Sequence, residues 1–148
     1  MAKKSNLQGL ILAAIVFVII SQVIHTVGAM LTMGYYTDPS LAGMWSTLMM
    51  PTPGPPPAEF FIYSIIIGFV VAVIFVKVYA LIEKALPTKT IGGKGVFYGG
   101  LLFLVGTVPG FLSTFLTLNL PVLLILDWTV EGLLANVIGG FTIAKIMK

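Results

Sequence analysis

An all-α, polytopic membrane protein with four transmembrane helices is the fold class that this sequence predicts. Three observations carry that expectation. Of 148 residues, 58% are hydrophobic and only 9% are charged, where a soluble domain carries about 25% charged residues. The mean hydropathy is +1.08. The charges are also clustered, which leaves uncharged runs long enough to cross a bilayer, a crossing that takes about 20 mostly apolar residues per helix. Together these features exclude a cytosolic enzyme, a nucleic-acid-binding domain and a disordered tail. The chain has no cysteine, so disulfides, thiolate metal sites and cysteine nucleophiles are absent too.

The spans follow from the uncharged runs. Ser5 to Thr37 contains no formally charged residue, which places span one at 8–31. Phe60 to Val76 is again free of charge, giving span two at 58–82. Gly95 to Leu126 is too long an uncharged run for one helix. It divides at Asn119-Leu120-Pro121, because proline is favoured in the first turn of a new helix. Span three is therefore expected at 95–118 and span four at 121–146. All four belong to a single membrane domain, 1–148. The apolar run behind Lys3-Lys4 also fits a signal peptide, with Val27-Gly28-Ala29 as its small-residue cleavage site. A retained span is the expectation taken.

Orientation comes from the basic residues, all of which are lysine. Lys3 and Lys4 precede span one, Lys84, Lys89 and Lys94 surround the loop between spans two and three, and Lys145 and Lys148 end the chain. With four spans these fall on one side, which the positive-inside rule assigns to the cytoplasm of a prokaryotic inner membrane, with both termini cytoplasmic. Lys77 lies near the same end of span two and can snorkel to the headgroups. The sequence pI near 9.3 is thus explained by topology, and no nucleic-acid partner is needed.

The outer loop, 32–57, is the longest. Asp38-Pro39-Ser40 reads as a helix start, with Asp38 as N-cap and Pro39 at the first position. Leu41, Met44, Trp45, Leu48 and Met49 then recur at helical spacing, so a short interfacial helix is expected over 39–50 with Trp45 as its anchor. The proline-rich stretch 51–57 reads as a stiff extended connector.

Ionisable groups inside a bilayer are costly and usually face a bundle interior or a wet cavity. Here they are His25, Asp127 and Glu131. At about 1.5 Å of rise per residue, Asp127 sits one turn inside the outer edge, Glu131 near the centre, and His25 close to the level of Asp127. The spacing of four puts both acids on one helix face. Their like charges repel unless a cation or His25 lies between them. Thr107, Ser113 and Thr114 on span three add polar groups at similar depth. The expectation is an outer-half polar pocket for a proton, a cation or a small polar solute, closed below by aliphatic packing. Equally consistent with the residues are buried hydrogen bonds that merely join helices, and pairing of both acids with a partner subunit.

The three side chains are enough for Zn²⁺ only if His25 reaches the acids from another helix. Enzyme chemistry has little to build on: there is one histidine, no HExxH and no glycine-framed serine. No catalytic residue and no cofactor is expected. Gly95-x-x-x-Gly99, Gly106-x-x-x-Gly110 and Ala135-x-x-x-Gly139 permit close helix approach in lipid, within the chain or in a homo-oligomer.

Two stretches resemble an uncharacterised family of small four-helix prokaryotic membrane proteins. They are Ile24-His25-Thr26-Val27-Gly28 with Tyr35-Tyr36 and Trp45, and Gly93-Lys94-Gly95 through Tyr98-Gly99-Gly100 to Gly106-Thr107-Val108-Pro109-Gly110-Phe111-Leu112-Ser113-Thr114, whose Pro-Gly-x-x-Ser/Thr feature is the most distinctive part. The resemblance implies the four-span architecture and no activity. Asp127 and Glu131 are not part of it.

Overall fold

The computed structural model describes residues 7–52 and 54–148. Lys3 and Lys4, used above for orientation, lie outside them. Four helices are long and apolar enough to cross a membrane. The first is α1, Leu7–Leu31, followed by a short α2, Met33–Thr37. Next come α3, Ala58–Ile82, and a third span made of α4, Ile91–Leu102, and α5, Val108–Thr117. The fourth is α6, Val122–Ile146. Among the described residues no strand occurs. The helices run up and down, and every lysine of the described residues belongs to one half of the bundle. The two halves are called here the lysine-bearing and lysine-free halves.

Local chemistry explains the boundaries. Span three begins earlier than expected because the Thr90 hydroxyl accepts the Gly93 N–H, capping α4. Between α4 and α5 the helix widens into one π-helical turn, Phe103–Thr107, closed by Val108 N–H donating to the Phe103 carbonyl. Pro109 explains it: without an N–H, it cannot bond the carbonyl four residues back, and the ladder must adjust. The interfacial element is a 3₁₀ helix over Pro39–Met44 and not a helix over 39–50. Asp38 caps it as expected, accepting from Ser40 N at 2.8 Å and Ser40 Oγ at 2.7 Å. These bonds hold the Asp38 carboxyl below its usual range. The helical spacing fails after Met44, where Trp45 becomes extended and a turn over Ser46–Met49 leads into the prolines.

The lysine-bearing half is tightly packed. Leu10, Ala13, Ala14 and Phe17 of α1 meet Ala72, Val76 and Tyr79 of α3, with Tyr98 of α4 and Ile143 of α6. Phe17 and Phe75 stack edge to face at 5.5 Å, and Tyr98 donates to the Phe75 carbonyl at 2.6 Å. In lipid this packing is worth its van der Waals contact, since tails outside are as apolar as leucine. Outward faces are accordingly mostly apolar, as at Ile19, Ile67, Leu116 and Leu123.

Candidate functional site

The lysine-free half is built differently. Here α1, α3 and α6 line a cavity of about 450 Å³, together with Met49, Pro55 and Pro56 of the loop and Phe111 of α5. Within it, His25 Nδ1 of α1 and Glu131 Oε2 of α6 lie 2.6 Å apart, a hydrogen bond with one proton between the two groups. The side chains are 48% and 8% exposed, respectively. Glu131 is therefore the buried member, and His25 is the more accessible one.

The side-chain directions explain the pairing. Each Cα–Cβ bond tilts toward its own helix N-terminus. On α6 that direction is toward the lysine-free end, so Glu131 leans outward. On α1 it is toward the interior, so His25 leans inward. The two antiparallel helices thus bring together residues that a count of rise alone places a turn apart. Depth by residue count put His25 opposite Asp127; the structure puts it on Glu131. A second feature fixes the geometry. Gly28, one turn along α1 from His25, leaves the space that the Glu131 carboxyl fills, and a methyl group there would overlap it.

Asp127 is half-buried, one turn from Glu131 on the same face of α6. Asp127 Oδ2 and Glu131 Oε1 are both buried and neither has a donor partner among the described residues. Two other polar pairs join elements beside the cavity. Gln22 Nε2 donates to Ser64 Oγ at 2.8 Å, and Trp128 Nε1 donates to Tyr36 Oη at 2.8 Å. Tyr36 in turn stacks on Trp45 with centroids 5.0 Å apart. Burial pushes the Tyr36 phenol above its ordinary range, and the Trp128 hydrogen bond offsets part of that shift.

The cavity is not the polar pocket that the sequence suggested. Its walls are mainly aromatic rings, methionines and prolines, with polar groups confined to a few positions. Thr107, Ser113 and Thr114 do not line it. The Thr107 hydroxyl accepts from Asn136 Nδ2 at 2.8 Å, tying the π-helical turn to α6. Thr114 bonds the Gly110 carbonyl of its own helix at 3.0 Å, and Ser113 lies exposed on α5. Hydroxyls on a membrane helix have this local alternative, so their spacing alone does not place them in a site. Among the described residues no group of three His, Cys, Asp or Glu side chains is placed to hold a metal ion.

The small-residue motifs separate in the same way. Gly95 and Gly99 lie against the α6 backbone at Asn136, Gly140 and Phe141. Gly139 accommodates the Phe17 ring, and Ala135 is buried nearby. Gly106 and Gly110 face open space.

Sequence reasoning passed over three residues of the site. Trp128 and Gly28 could have been found by helical spacing, since each lies three residues from an ionisable group already singled out. Ser64 carries no such signal, because a lone serine in an aliphatic run has no preferred reading. No family model, curated protein or solved structure matches the chain.

Proposed function

We propose that this chain is a small, non-enzymatic integral membrane protein that takes up a proton or cation at the His25–Glu131 pair, from a cavity in the outer half of the bundle. One observation carries the reading: a nine-tenths buried carboxyl reaches the cavity through a half-exposed imidazole 2.6 Å away. A buried glutamate is costly as a lone charge. Histidine is the side chain whose ordinary pKa allows proton exchange near neutrality. The pair therefore binds a proton where a ligand or water can deliver it. The positive-inside rule puts the lysine-bearing half and both termini in the cytoplasm of a prokaryotic inner membrane, so the cavity faces out.

The test measures proton uptake by purified protein in nanodiscs, using a pH indicator, and proton flux in vesicles. Uptake that disappears in Glu131→Gln and His25→Ala, with both variants still eluting as folded protein, supports the site. Uptake equal to wild type in both variants would overturn it.

An accessory subunit of a larger membrane complex is the second reading. It is favoured by one face of span three, where Gly106 of the π-helical turn and Gly110 of α5 lie open and no helix among the described residues covers them. Small residues of this kind commonly sit under a partner helix, from another copy or another subunit. Native mass spectrometry after gentle extraction decides between a lone chain, a homo-oligomer and a fixed-ratio complex.

A further inference from the structure

We propose that the cavity is a binding site for a lipophilic organic cation, an apolar body with one positive charge that rests against Glu131. The inference depends on the reading above that Glu131 is an exchangeable site, and it adds the class of ligand. Size, walls and charge agree on that class. The volume of about 450 Å³ falls within the range of about 300–1,000 Å³ for small-molecule pockets. Tyr36, Phe60, Phe61, Phe111 and Trp128 contribute aromatic rings to the walls, and ring faces attract cations. Met30, Met33 and Met49 add flexible, polarizable surface that adapts to an irregular apolar body.

Charge selects the sign. Asp38, Glu59, Asp127 and Glu131 all belong to the lysine-free half, and only Glu83 to the other. No lysine or arginine of the described residues lies in the lysine-free half. An anion entering the cavity thus meets carboxylates and no fixed positive charge, whereas a cation is drawn in. Glu131 Oε1, buried and without a donor, is where the positive charge is best compensated. A neutral polar solute is a poorer fit. It gains little from walls that are mostly rings, methionines and prolines, where Gln22 Nε2 and the Trp128 indole N–H already donate to protein partners.

His25 Nδ1 already holds Glu131 Oε2 at 2.6 Å, so imidazole and ligand share the one carboxylate. The other titratable groups near the carboxylate are Asp127 on α6 and Tyr36 on α2. Among the described residues α3 and α5 present none to the cavity.

Tetraphenylphosphonium is a suitable probe, with tetraphenylborate as a control of the same shape and opposite charge. Calorimetric binding is measured on the full chain in nanodiscs. Saturable binding of the phosphonium alone is expected. It should weaken about tenfold or more in Glu131→Gln. It should also weaken in Ala29→Phe, which fills the cavity from an uncharged wall position, in protein whose elution is unchanged. Equal binding of both probes, or unweakened phosphonium binding in Glu131→Gln, would overturn the proposal. Should the wild type bind no phosphonium while its proton uptake still depends on Glu131, the ligand class is wrong and the proton site stands. Should uptake also be independent of Glu131, both readings fall.

Discussion

At the lysine-bearing end, α4 lies backbone to backbone on α6, because Gly95, Gly99 and Gly140 present no side chains between them. At the lysine-free end a cavity, the hydrogen-bonded His25–Glu131 pair and stacked aromatic rings lie between the helices. The comparison teaches where each kind of residue is useful in a bilayer. Glycine allows close dispersion contact where nothing else drives helices together. Ionisable groups need space, partners and a route for a proton or ligand. A bundle packed like the lysine-bearing half along its whole length would have no room for His25 or Glu131.

The largest expected effect comes from breaking the tight half. In Gly99→Ala the added methyl meets the Asn136 carbonyl and the Val137 Cα, which are backbone atoms that cannot swing aside. The expected loss is at or above the upper end of about 1–3 kcal/mol for overpacking. It would be read as a lower unfolding temperature in detergent. A change within error would mean that α4 and α6 are not in contact as described.

Gly28→Ala sharpens the contrast, because the obstacle there is the flexible Glu131 side chain. The carboxyl is expected to swing away and lose His25. A hydrogen bond to a charged group contributes about 1.5–3 kcal/mol, and new contacts offset part of that loss. Stability should therefore fall less than in Gly99→Ala, while proton uptake falls as in Glu131→Gln. Nitrogen chemical shifts of the imidazole provide the direct readout. Unchanged shifts would place Glu131 away from Gly28.

Gly110→Ala should have the smallest effect. Nothing lies within contact distance of the added methyl, so the isolated chain should be unaffected or gain up to about 1 kcal/mol from helix propensity. Loss of a co-purifying helix, or of a dimer, would instead show that this face is covered in the membrane.

Much of the architecture was legible in the residues. Span two was expected at 58–82 and α3 occupies Ala58–Ile82. Pro121 separates the last two spans as expected, since a proline with no N–H costs nothing at a helix start and disturbs the ladder within one. The interior of span three was less legible, because the adjustment to Pro109 could have been a kink, a break or a π-helical turn. The candidate site was half legible. His25, Asp127 and Glu131 were marked by their cost in lipid. Which of the acids would meet His25 was not, because residue counts ignore side-chain direction.

What the sequence determines by itself is the solvent: uncharged runs of helical length belong in lipid, and the lysines sort to one end. It also determines which groups cannot be placed in lipid without compensation. Only the tertiary structure decides that Glu131 fills the gap above Gly28, that Gly95 and Gly99 are covered while Gly106 and Gly110 are not, and that Thr107 serves Asn136 and not the cavity. The physical reason is that almost every residue here is apolar on every face. Hydrophobic periodicity, which orients a helix in a soluble protein, has little to say when the surroundings are as apolar as the core. Facing is then set by shape and by a few hydrogen bonds between residues as far apart in the chain as His25 and Glu131.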